Sequence, residues 1–299
     1  MNKVKPYVLP AALLLGTLLH TYCSRFSVAV PYIIFTILFL NFVAVDLRKL
    51  RLSKLDLCLM LFQIVVSFGS YSILRLCGVN ETVCEGVLIG VLCPVASAVV
   101  VISCTLGANR ETVTAYTIFG NLMVAIVAPL YFTIIGVHPE LGFGASCWLI
   151  LKRIGTVIGL PFFVALLLQL LTPKVNHFLA RFKSYTFYLW ACALLFTLGQ
   201  TIDFIFLHGK GNWDSILYLA LAALFFCALQ FFVGKKLGKH FGDTIAGGQL
   251  LGQKNTAMGI WMANTFLHPL TSVILAFYSI FQNLFNSYQM WCHDHNPRK

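Results

Sequence analysis

Acidic residues are scarce in this 299-residue chain: Asp and Glu together number 10, and charged residues of both signs make up only 10% of it. Paired carboxylates, which run acid–base chemistry or cage hard cations, cannot readily be assembled from so few. The apolar segments contain neither such a pair nor a histidine cluster. A membrane-embedded enzyme is therefore disfavoured, and no catalytic residue is assigned. No Cys-x-x-Cys occurs among the ten cysteines, which removes the common redox and zinc patterns. The terminal Cys292-His293-Asp294-His295 has ligand residue types but consecutive spacing at a chain end, so no metal is assigned. No hydrophilic insert is long enough for a second domain.

What is present is apolar: 59% of the residues are hydrophobic and the mean hydropathy is +0.84. These values lie far outside the range of soluble domains and indicate a multi-pass protein whose constant partner is the lipid bilayer. The formal charge of +11 could suggest nucleic acid in a soluble chain. Here the basic residues gather in alternate short loops, the bias of membrane topology, and no nucleic-acid partner is expected.

Ten spans of about 20 residues can be placed. They run from about Pro6 to Tyr22, Phe26 to Asp46, Leu55 to Leu76, Thr82 to Leu106, Arg110 to Gly136, Trp148 to Leu171, Tyr185 to Leu207, Trp213 to Val233, Asp243 to Phe266 and Pro269 to Trp291. With both termini cytoplasmic, fifteen of the 21 Lys and Arg fall on the inner side and five on the outer, leaving Lys254. The chain is thus expected to be a single all-α membrane domain of about ten transmembrane helices. Two halves of five, approximately 1–136 and 145–292, would have opposite orientations. The fourth span is interrupted at Cys93-Pro94, because proline lacks an amide and disturbs the preceding turn. The ninth is interrupted by glycines and amides around Gly252, in the equivalent place of the second half. Paired interruptions of this kind point to a transporter's central site.

Lys254 lies about eleven residues in from Asp243, roughly 16 Å at ~1.5 Å per residue, near the middle of a hydrocarbon slab. The plain alternative is a continuous helix whose lysine snorkels, but the side chain reaches only about 6 Å. A lysine at that depth instead faces protein or a wet cavity, and unwound backbone is tolerated only where it lines one. A cation/proton antiporter would place a buried aspartate near such a crossing, and this stretch has none.

Three motifs in register resemble the bile acid:sodium symporter family. Glu85 to Asn109, with Cys93-Pro94, is similar to its fourth-helix motif; Gly252-Gln253-Lys254-Asn255-Thr256 resembles its ninth-helix Gly-x-Gln-Asn-Ser/Thr; and Tyr278-Ser279-Ile280-Phe281-Gln282-Asn283 resembles its tenth-helix Phe-Ser-x-x-x-Asn. The resemblance implies panel and core domains, crossing broken helices 4 and 9, alternating access, and a small organic anion, bile-acid-like or another carboxylate or sulfonate, as substrate. It also implies a bacterial inner (plasma) membrane location. On the substrate side, Ser97, Asn255 and Asn283 match family positions, with Gln253 nearby, and Pro94 and Gly252 mark the breaks. The family's sodium ligands, however, fall on Leu250, Lys254, Val99 and Val100, which replace oxygen ligands by alkyl groups and a cation.

From these departures Lys254 is expected to stand in for a bound cation, donating to carbonyls at the half-helix ends. Coupling would then need no sodium, and would be uniport, exchange, or proton coupling through Lys254. The alternatives are an ordinary sodium symporter with displaced ligands and a non-transporting solute sensor; oligomeric state is not readable. Four smaller expectations complete the sequence. Cys77 and Cys84 could pair across one outer loop. Asp203 lies at a solvated helix end or serves proton entry or substrate approach. Ser103 and Thr105 bond back to their own helix. Thr114, Thr117 and Asn121 find partners on another helix.

Overall fold

The computed structural model describes residues 5–47, 50–96, 98–135, 142–208 and 213–295. Among them the regular structure is helical and no strand occurs. The chain runs α1 (Lys5–Leu18), α2 (His20–Arg25), α3 (Val30–Phe42), α4 (Lys54–Leu76), α5 (Glu81–Leu92), α6 (Val99–Leu106), α7 (Arg110–Ile135), α8 (Phe143–Ile154), α9 (Leu160–Leu171), α10 (Pro173–Ala180), α11 (Thr186–His208), α12 (Trp213–His240), α13 (Thr244–Gly252), α14 (Thr256–Phe266) and α15 (Val273–His295). A π-helical turn, Gly155–Gly159, joins α8 to α9 without a break. Five helical stretches are long and apolar enough to cross a membrane: Lys54–Leu76, Arg110–Ile135, Phe143–Leu171, Pro173–Asp203 and Trp213–His240. The chain is an all-α membrane protein of several passes.

Local sequence sets the ends. Ser53 and Asp56 form a reciprocal capping box at the start of α4, each side chain bonding the other's backbone amide. Asn109 Oδ1 accepts from the amides of Glu111 and Thr112 to start α7. Asp243 starts α13 by accepting from Ala246 N at 2.8 Å, and its other oxygen accepts from Asn109 N at 3.0 Å. One carboxylate therefore ties the loop after α6 to the loop before α13, 134 residues apart. Gly107 and Gly242 close the preceding helices with φ of 101° and 87°, a region that favours glycine.

The tightest helix pair is α12 against α13. Gly234 and Gly238, one turn apart on α12, face Gly247 closely enough that a Cβ on any of them would strike backbone. Small residues four apart let two helix backbones touch, and the gain in dispersion contact holds helices together where lipid supplies no hydrophobic drive.

Three smaller expectations change. Cys77 and Cys84 are both free thiols; the Cys84 thiol donates to Val79 O at 3.5 Å, within its own turn. Thr117 and Asn121 do not reach another helix: Thr117 Oγ1 donates to Val113 O and Asn121 Nδ2 to Thr117 O. A short side chain finds the i−4 carbonyl of its own helix closer than any neighbour. Thr105 bonds back in the same way to Val101 O, whereas Ser103 Oγ is buried without a partner among the described residues.

Candidate functional site

Pro94 ends α5. Having no amide, it cannot extend the ladder, and the backbone from Cys93 to Ala96 is extended before α6 begins at Val99. The second interruption spans Gln253 to Asn255, with α13 ending at Gly252 and α14 starting at Thr256. The two unwound segments lie antiparallel. Asn255 N donates to Pro94 O at 2.7 Å and Ala96 N donates to Gln253 O at 3.2 Å, pairing Val95 with Lys254. Four half-helix ends thus meet at one short backbone bridge. Gly252 has an ordinary helical place in the last turn of α13, and its lack of a Cβ serves the Phe231 ring that lies on it, 2.5 Å from where a Cβ would be.

A bridge of two bonds leaves several carbonyls of the ended helices to be satisfied. Gln63 of α4 supplies most of this: its Nε2 donates to Leu92 O at 2.7 Å and to Cys93 O at 3.0 Å, and its Oε1 accepts from Tyr116 OH of α7. From α15, Tyr278 OH donates to Gly252 O at 2.9 Å. One turn on, Gln282 grips the Lys254 peptide on both sides, accepting from its N at 2.7 Å and donating to its O at 3.1 Å. The Cys93 thiol donates to Asn255 O at 3.2 Å. These donors account for the carbonyls from Leu92 to Pro94 and from Gly252 to Asn255.

Lys254 itself is 1% exposed, and its Nζ has no hydrogen-bond partner among the described residues. The expectation that it would donate to the half-helix carbonyls is not met, for a stated reason: side-chain amides, a phenol and a thiol already occupy them. Sequence inspection missed Gln63, Tyr116, Tyr278 and Gln282. The signals were there, in a lone glutamine deep in the apolar third span and in the i, i+4 spacing of Tyr278 and Gln282 inside a quoted motif.

A cavity of about 90 Å³ lies against the bridge. One wall is the crossing and α15, with Ala96, Ala98, Gln253, Lys254, Asn255, Thr256, Ala257, Ser279, Gln282 and Asn283; the facing wall is Ile34 and Ile37 of α3 with Trp190, Ala193, Leu194 and Thr197 of α11. Gln253, Asn255 and Asn283 therefore share one cavity, while Ser97 lies outside the described residues. Their amides are partly committed. Asn255 Oδ1 caps α14 through Met258 N, Asn283 Nδ2 donates to Ser279 O, and Gln253 Nε2 donates to Gln249 Oε1. Asn255, Thr256 and Ala257, at the start of α14, line the cavity, and a partial positive charge collects at a helix start.

The family model described as the sodium bile acid symporter family matches residues 31–206. The chain belongs to that family. The match covers α3 to α11 and so includes the first of the two interruptions; the stretch around Lys254 lies beyond it. No curated protein matches the chain significantly. Membership makes this a transporter-type membrane protein of the symporter family.

The resemblance would place sodium ligands at Val99, Val100 and Leu250. Val99, Val100 and Leu250 are fully buried and pack into one apolar cluster with Leu59, Val113 and Tyr116. Sodium needs several oxygen ligands, and methyl groups fill that volume. Among the described residues no group of three or more His, Cys, Asp and Glu is placed to hold a metal. Asp203, outside this site, pairs with His20 of α2, whose ring lies tilted against Phe206.

Proposed function

We propose that this protein is a secondary transporter that moves a small organic anion by alternating access and does not use the two-sodium coupling of its family. The observation that carries it is the cavity: its polar wall is built by two interrupted helices and its opposite wall by α3 and α11. Irregular backbone at the heart of an apolar protein is tolerated where it faces a wet cavity, and helix starts aimed there favour a negative ligand. The α14 start, Asn255 and Asn283 would orient the anion's charged group, with Ser97 joining them if the family correspondence holds. Trp190, Ile34 and Leu194 would take its apolar part. The cavity volume, about 90 Å³, is below that of drug-sized ligand sites, so a steroid would need the walls to separate.

Ten spans in two inverted halves, a core carrying the crossing and a panel carrying α3 and α11, complete this architecture, and cytoplasmic termini complete the topology. The walls would then move apart on alternate sides of a fixed crossing. Lys254 stands at that crossing where the resemblance would place a sodium ligand, and is the candidate coupling residue there. Purified protein in vesicles tests the function: uptake of an organic anion should be unchanged when choline replaces sodium on both sides. Uptake that climbs steeply with sodium would return the protein to ordinary symport, and no uptake of any anion would favour a solute sensor.

A further inference from the structure

Among the described residues Lys254 is the one buried Lys or Arg, and its surroundings are of an unusual kind. Along an extended segment successive side chains point to opposite faces. Lys254 stands between Gln253 and Asn255, whose side chains serve the cavity wall and the α14 cap. The ionisable groups acting on Lys254 are two thiols, Cys93 of α5 and Cys227 of α12. Tyr278 of α15 lies against the Cys227 thiol, and its hydroxyl also bonds Gly252 O and Gln230 Nε2. No carboxylate faces the amine from α5, α12, α13 or α15 among the described residues.

An ammonium carries three donors and has no acceptor role. Buried with no acceptor, it forfeits its hydration without compensation, a severe penalty inside a protein. The crossing does not call on its charge either, since Gln63, Tyr278, Gln282 and Cys93 already satisfy the carbonyls there. An amine, by contrast, fits such a place. Lys254 is also among the residues lining the cavity of about 90 Å³, with Thr197, Thr256 and Ser279, which is space enough for water.

We propose that Lys254 is the proton site of the transport cycle: an amine in the conformation seen here, it takes one proton as the anion enters and gives it up when the anion leaves. The step balances as R–NH2 plus H+ giving R–NH3+, with the anion in the cavity as the counter-charge. By linkage, whatever factor protonation adds to anion affinity, the anion adds to proton affinity. One proton moves per anion, so a monoanion crosses without net charge. The inference rests on the transport function proposed above and gives its coupling ion.

The test uses the whole protein in sodium-free liposomes containing a pH dye, with empty liposomes as blank and choline pantoate and choline taurocholate as probes. Uptake of either probe should acidify the lumen one-for-one and should be at least tenfold faster at an outside pH of about 6 than at about 8, one tenfold step being the linkage of a single proton to binding. Lys254→Gln and Lys254→Arg should abolish that pH response, arginine because it does not release its proton. Uptake without acidification, or a pH response retained in both variants, overturns the proton site and leaves the transporter standing. If neither probe is taken up by the wild type, the transport function fails for them, and a second measurement decides on Lys254 alone. The Tm of the detergent-solubilised wild type, relative to Lys254→Met or to Lys254→Gln, should change between pH 6 and 9, because a titrating site links folding to proton binding. A difference that stays flat with pH overturns the proposal.

Discussion

Gln63 carries more of the crossing than any residue singled out from the sequence. Its amide bonds two carbonyls at the end of α5 and receives Tyr116 OH, so it is satisfied at both ends inside an apolar layer. Gln63→Leu keeps the volume and strands two buried acceptors, each worth about 1–3 kcal/mol when left unpaired. Detergent-solubilised protein should lose Tm accordingly; a variant as stable as wild type would show that water replaces the amide. Gln282→Leu is a different case, because the lost bonds are those that hold the Lys254 peptide between α15 and the bridge. Uptake should fall at least tenfold while expression persists, read by transport in vesicles alongside gel filtration. Asn283→Ala should leave the fold intact and weaken anion binding, since its Nδ2 bond returns only to its own helix.

At the scale of elements, the hairpin of α12 and α13 is the firmest support of the second interruption. Gly234, Gly238 and Gly247 bring the backbones together, and a side chain at Gly247 would meet the α12 backbone. Gly247→Leu should therefore separate the helices, displace Gly252 from the Phe231 ring and abolish recovery of folded protein. Gly69→Leu, at a position with open space around it, is the matched control and should fold. The interruption after Leu92 is legible in the sequence, because Pro94 lacks the amide a helix requires. The companion break at 253–255 is less so. No residue there forbids a helix, and the extended form persists because Pro94 O, Ala96 N and the Gln282 side chain pair with it.

Taken whole, the molecule has one wall of α3 and α11 and another of the crossing with α15, meeting at the cavity. Relative movement of those walls makes a prediction of its own. A single cysteine at Thr197 or Ser279, in a background cleared of the ten native cysteines, should react with an impermeant maleimide from one side of the membrane at a time. Anion binding should slow that reaction, and equal labelling from both sides in one state would be incompatible with alternating access.

Composition and hydropathy are enough to assign the class of this protein. Long apolar runs with few charges can be stable only as helices in lipid, and a proline or a glycine-rich stretch inside one must be accommodated by neighbours, so class and the first break follow from local chemistry. The three family-like motifs also follow the chain, being contiguous. Only the tertiary structure decided how the crossing is satisfied. Gln63, Tyr116, Tyr278 and Gln282 lie on three different helices and become one hydrogen-bonded set through folding alone. Lys254 illustrates the limit: its depth was readable from residue count, but whether its amine would find an acceptor depended on which carbonyls other side chains had already taken. Hydrogen-bond satisfaction is a competition among groups far apart in sequence, and packing settles it.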